Sequence, residues 1–258
     1  MKTKNYFLPF KQQQLPLLVI ILLFPLSITV FEFNRLINGT GINALVFHGY
    51  FSNINPSSLV FPLLVVLLVS EIAAREWLSD MRIWSIMRIG YKPYISKKIC
   101  FILACVCLYI LLGDFLSLLF LGITHGFQWA SDPRIIAPGL NGIFGQFQTT
   151  TILICLQMIQ AIGYALCSLW ILQFAKRIWE TIVYPFILIV LLPIILMNLM
   201  AIPESWVPSY SNDLLIYEQE SGLHSLEINT ITWLGFAAIY AFLLFITLSS
   251  KRRKGLVR

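Results

Sequence analysis

The sequence predicts an all-α membrane protein with six transmembrane helices and both termini in the cytoplasm. Three observations predict it. Six apolar runs punctuate the chain, at 15–31, 59–74, 99–123, 152–175, 182–202 and 231–248. Sixteen of the 18 Lys and Arg residues fall on one side of those runs. No segment between runs exceeds about 30 residues, short of the roughly 40 at which assisted small domains begin. The 258 residues therefore form one transmembrane domain.

A bilayer core about 30 Å thick asks for roughly 20 apolar residues per helix, with about 17 as a floor. The third to sixth runs satisfy this, and the first two need a flanking turn. Lys2, Lys4 and Lys11 lie on one side, with Arg75, Arg82, Arg88, Lys92, Lys97, Lys98, Lys176, Arg177 and the cluster from Lys251 to Arg258. Only Arg35 and Arg134 lie on the other. Cytoplasmic loops carry the positive excess, so that side is inside. The formal charge of +6 suits anionic lipid rather than nucleic acid.

Taken in order, residues 1–14 mix lysines with Tyr6, Phe7 and Phe10, which suits an inner surface segment. The run 15–31 lacks a small-x-small cleavage site after it and reads as an uncleaved span. Pro25 is expected to kink it. The loop 32–57 is rich in Asn, Gly and Ser. The second run continues past Ala74 without a helix breaker until Gly90 and Pro93. In that continuation Trp77, Met81 and Trp84 follow helical spacing. Arg75, Glu76, Asp80 and Arg82 form a charged seam beside them. The third run carries Asp114 well inside. The loop 124–150 has four Gly and two Pro, which predicts irregular chain. A tight inner turn holds Lys176 and Arg177, Pro185 and Pro193 punctuate the fifth run, and an acidic outer segment, 203–229, precedes the sixth.

The chemistry is sparse. There is no G-x-x-x-x-G-K-[ST] loop, so nucleotide energy must come from another polypeptide. His48, His125 and His224 all fall in outer loops, away from span depth, where a metal site would need them. All five cysteines lie within the third and fourth runs and read as small packing residues. Two acids sit in or at the edge of spans. Glu71 is near the inner end of the second, within helical reach of Arg75. Asp114 is deeper, where a carboxylate is costly unless it is protonated, paired or facing water.

The layout resembles the ABC-2 type permeases, the membrane subunits of one class of ATP-binding-cassette exporters. The closest stretch is 71–98, where Ser-Glu-x-x-x-Arg-Glu is followed by Ile86-Met87-Arg88-Ile89-Gly90-Tyr91-Lys92 and Lys97-Lys98. It is similar to small permeases of bacterial peptide-antibiotic export and immunity systems. The resemblance implies the type V exporter-like permease fold in a bacterial plasma membrane. It implies a second permease subunit, identical or homologous, and a separate ABC ATPase that binds ATP and Mg, this chain binding no cofactor itself. Residues 75–92 are then the coupling helix, with Arg75, Glu76, Trp77, Asp80, Met81, Arg82, Trp84 and Arg88 facing the ATPase. Lys176 and Arg177 form a smaller contact, and 203–229 an outer cap. Glu71 and Asp114 remain as intramembrane polar positions. Two other readings stay open. One is a non-transporting immunity or sensor partner. The other is an intramembrane protease, since Glu71-Ile-Ala-Ala-Arg-Glu76 is distantly similar to a Glu-Glu-x-x-x-Arg signature but lacks the paired glutamates and span-depth histidines.

Overall fold

A computed structural model of the chain describes residues 16–27, 56–78, 86–88, 90–127, 146–192, 195 and 222–253. These residues include no strand. Helix α1 spans Pro16–Ser27. Helix α2 spans Pro56–Val69 and passes into a π-helical turn, Ser70–Ala74, and one more turn, Arg75–Trp77. Helix α3 spans Tyr91–His125 and α4 spans Gln146–Leu172. Helix α5 covers Glu180–Phe186 and continues as a second π-helical turn, Ile187–Leu191. Helix α6 spans Gly222–Arg253.

Three stretches, Tyr91–Thr124, Gln148–Leu172 and Glu227–Ser250, are long and apolar enough to cross a membrane. They correspond to the third, fourth and sixth apolar runs, and identify the chain as a membrane protein. Pro16–Ser27, Val60–Ala74 and Glu180–Leu191 are shorter apolar helices within the described residues.

The boundaries differ from the apolar runs for a physical reason. Lysine, tyrosine and glutamine are compatible with helix although they are not compatible with hydrocarbon. Helix α3 accordingly begins at Tyr91, well before the apolar residues start. Its 35 residues make a rod of about 52 Å, longer than the roughly 30 Å hydrocarbon core. Gly90, at φ 87°, sets this start, because the left-handed region ends any preceding helix. Tyr91 and Lys92 thus belong to α3 and not to the segment before it. Pro93 fits the first turn, where backbone N–H groups have no helical acceptor. At the far end of the chain, residues 222–229, expected in the outer cap, form the first two turns of α6. Helix α1 stays helical through Pro25 to Ser27, where the Ser27 hydroxyl donates to the Phe24 carbonyl at 2.7 Å. The segment 1–14, the loop 32–55 and residues 203–221 lie outside the described residues.

Helix α4 is the hub. In its most apolar stretch 67% of the residues are buried, against 33% for α3 and 17% for α6. It packs on α2, α3, α5 and α6. Between apolar helices in lipid, association rests on close packing rather than on water exclusion, and here rings supply it. Tyr109 of α3 meets Phe24 of α1, which meets Phe61 of α2, which meets Tyr164 of α4, which meets Trp233 of α6, with centroids 5.0–6.0 Å apart. Edge-on pairs of this kind contribute about 0.5–1.5 kcal/mol each beyond area burial. The Tyr109 hydroxyl also donates to the Ile20 carbonyl at 3.2 Å, fastening α1 to α3.

Candidate functional site

Two regions of the described residues hold polar side chains inside the bundle. The first is the lysine-rich end of the bundle, where α2 leaves and α3 begins. Glu76 is reached there by two groups from α3. The Tyr94 hydroxyl donates to Oε1 at 2.7 Å, and the Lys98 ammonium pairs with Oε2. Burial alone would raise the Glu76 pKa; the Lys98 and Tyr94 hydrogen bonds and the Lys98 charge outweigh it and hold the carboxyl below its ordinary value. Trp77 is half-buried, and with Lys98, Ile102, Leu169 and Gln173 it lines a small void between α2, α3 and α4. Glu76 and Trp77, read from sequence as facing a partner, make these contacts within the chain.

A second segment, 176–181, is tied to the first. The Ser70 hydroxyl, in the π-helical turn, donates to the Thr181 carbonyl of α5 at 3.0 Å. At the start of α5, the Glu180 carboxylate accepts from the backbone N–H groups of Lys176 at 2.7 Å and Arg177 at 3.3 Å. That clamp closes the turn while both basic side chains stay exposed. Phe174, Ile178 and Trp179 are exposed beside them, an apolar contribution absent from the sequence reading. Arg88 is exposed on the short helical stretch 86–88, just before Gly90. Arg75 continues the helix out of the π-helical turn. Asp80, Met81, Arg82 and Trp84 lie outside the described residues. Glu71 is half-buried within the π-helical turn. The i→i+5 bonding of such a turn shifts the α-helical register that the expected Glu71–Arg75 pairing assumed.

The second region is a set of buried polar side chains on α3, α4 and α6, away from the helix ends that carry the lysines. Asp114 of α3 is 2% exposed and Gln157 of α4 is fully buried. Neither Asp114 oxygen nor either Gln157 amide atom has a hydrogen-bond partner among the described residues. Both residues sit eleven positions, about 16 Å, from the ends of their helices opposite the lysines. Thr149 and Thr150 of α4, Ser117 of α3 and Asn229 of α6 are buried toward the same ends of their helices, and Gln160 is buried near the middle of α4. Buried polar groups at membrane depth are costly and mark functional positions by default. Sequence reasoning singled out Asp114 and passed over Gln157, Gln160 and Asn229. The signal was available, since Gln157 and Gln160 stand three apart inside an apolar run.

All five cysteines are free thiols. No group of three or more metal-ligating side chains occurs among the described residues. No family model, curated protein or solved structure matches the chain.

Proposed function

We propose that this chain is the membrane-spanning permease subunit of an ATP-binding-cassette exporter of the ABC-2 type. It moves an amphipathic substrate, such as an antimicrobial peptide, outward, driven by a separate ATPase that carries ATP and Mg. On this reading α1, the continuous α2 and α5 are the described parts of the first, second and fifth of six spans. The lysine-rich end faces the cytoplasm of a bacterial cell, and a second permease subunit completes the pathway.

The supporting observation is the construction of the lysine-rich end. Coupling requires that a push on an inner surface reach the spans without being absorbed by loose chain. Glu76 is held by Tyr94 and Lys98, which ties the end of α2 to α3. Ser70 holds Thr181, which ties α2 to α5. Lys176 and Arg177 are exposed on a clamped turn, set to meet acidic residues of an ATPase. Both π-helical turns lie in α2 and α5, the helices this platform would move, and such turns recur at functional sites. Asp114 and Gln157, buried in this structure, are the polar groups that a peptide would meet at membrane depth once the spans part.

The test is co-purification with an ATP-binding-cassette ATPase from the same cell, followed by transport in vesicles. Reversal of the exposed turn by Lys176→Glu with Arg177→Glu is expected to weaken ATPase association about tenfold or more, since each reversal replaces an attraction by a repulsion. Transport by the purified chain with no ATPase present would overturn the reading.

A further inference from the structure

Helices α3 and α6 both pack on α4 and touch each other far less. Near the lysine-rich end the gap between them is a groove of about 550 Å³, within the size range of ligand sites. Its floor is apolar: Leu166 of α4 with Leu244 and Leu248 of α6, all buried. Its rim is polar at the lysine-rich end. Lys92 and Ser96 stand one helical turn apart on α3, and Ser249 faces them from α6. The Tyr91 hydroxyl donates to the Leu248 carbonyl at 3.4 Å and holds the two helices at this separation.

We infer that this groove binds one anionic phospholipid from the leaflet on the lysine-rich side. The dimensions and the charge order both lead there. From Lys92 to Cys100, which lines the deep end, the groove runs about 12 Å along α3. One leaflet of hydrocarbon is about half of the roughly 30 Å core, so an acyl chain lies in the groove with its headgroup at the rim. Lys92 is exposed there, whereas Lys98, on the next face of the same helix, is already engaged by Glu76. Among the described residues Lys92 is the ammonium that lines the groove, and with the Ser96 and Ser249 hydroxyls it suits a phosphate that brings net negative charge. The inference needs α3 and α6 to be membrane-embedded, and it stands apart from the export reading.

The experiment is native mass spectrometry of the full chain, purified in mild detergent and equilibrated with equal parts phosphatidylglycerol and phosphatidylcholine. One retained lipid is expected, with phosphatidylglycerol favoured about fivefold, the ratio typical of one lysine at an anionic surface. Lys92→Gln should abolish the preference while keeping a lipid. Lys97→Gln, exposed but outside the groove, should leave the preference intact. Ala241→Trp fills the groove from α6 and Cys100→Phe from α3; either one that remains folded should lose the lipid. The inference is overturned by equal retention of both lipids in the unaltered chain, by Lys97→Gln acting as strongly as Lys92→Gln, or by a folded filler that keeps its lipid. A filler that splits a dimer without changing lipid content would assign the groove to another copy's helix and also overturn it.

Discussion

Lys98 and Glu76 form an ion pair that joins the start of α3 to the end of α2, with the Tyr94 hydroxyl on the second carboxylate oxygen. The two partners are 22 residues apart in the chain, so no helical spacing announces the contact. The Glu76 side chain is 28% exposed and that of Lys98 17%. Pairs this sheltered, with a third group in the network, outperform the usual surface pair. A double-mutant cycle on Glu76→Gln and Lys98→Met, read by thermal melting in detergent, should return a coupling of about 1 kcal/mol. Lys98→Met should cost more than Glu76→Gln. The former strands a half-buried carboxylate, whereas the latter leaves a lysine whose long stem can carry its charge to water. Additive single effects would contradict the pairing.

Acid should weaken the same contact. The folded-state Glu76 carboxyl is held below its ordinary value of 4.5. A depressed carboxyl contributes stability that is fully present above the unfolded value and is lost as pH falls through the folded value. Melting temperature followed downward from neutral pH should therefore drop below the ordinary glutamate range in the unaltered chain. Glu76→Gln should remove part of that drop. Parallel curves for the two proteins would show that other carboxyls account for it.

Gly113 of α3 lies against the ring of Phe24, and a Cβ added there would overlap that ring. Phe24 is fully buried and wedged between Phe61 and Tyr109, so it has nowhere to go. Gly113→Ala should cost about 2 kcal/mol by overpacking. Adding Phe24→Leu should recover part of the loss, because the smaller side chain makes room. Failure of this rescue in melting experiments would mean that the strain falls on the backbone of α1 rather than on the ring.

The legible part of this molecule was the part governed by transfer energy. The apolar content of 99–123, 152–175 and 231–248 was enough to place α3, α4 and α6, because a long lipid-compatible stretch has few alternatives to helix. Gly90 and Pro93 marked the break before α3, since both act on the chain locally. What failed to show was pairing across the bundle. The Ser70–Thr181 bond, the Glu76–Lys98 pair and the chain of rings from Tyr109 to Trp233 join residues whose proximity is a tertiary outcome. The contacts of Glu76 and Trp77 within the chain escaped for that reason, as their spacing looks the same whether the face is covered by another protein or by α3. Gln157 and Gln160 escaped because uncharged amides barely disturb hydropathy, although their burial is as informative as that of Asp114.

Gln157 separates a packing role from a transport role. Its amide is fully buried with no partner for either polar atom among the described residues. Removing a buried polar group that pairs with nothing recovers its desolvation cost, and leucine nearly preserves its volume. Gln157→Leu should therefore raise stability by about 1 kcal/mol, the modest end of the range because a chain in lipid has other partners when it is not packed. Asp114→Leu should do the same from α3. If these two residues serve a peptide's polar groups, each stabilised variant should also transport about tenfold more slowly, the loss expected from one or two missing hydrogen bonds. Gain of stability with loss of transport is the signature of groups kept for function against the interest of the fold. Gain of stability with unchanged transport would make Asp114 and Gln157 unfavourable packing and nothing more, and the substrate path would have to be sought along another face of α4.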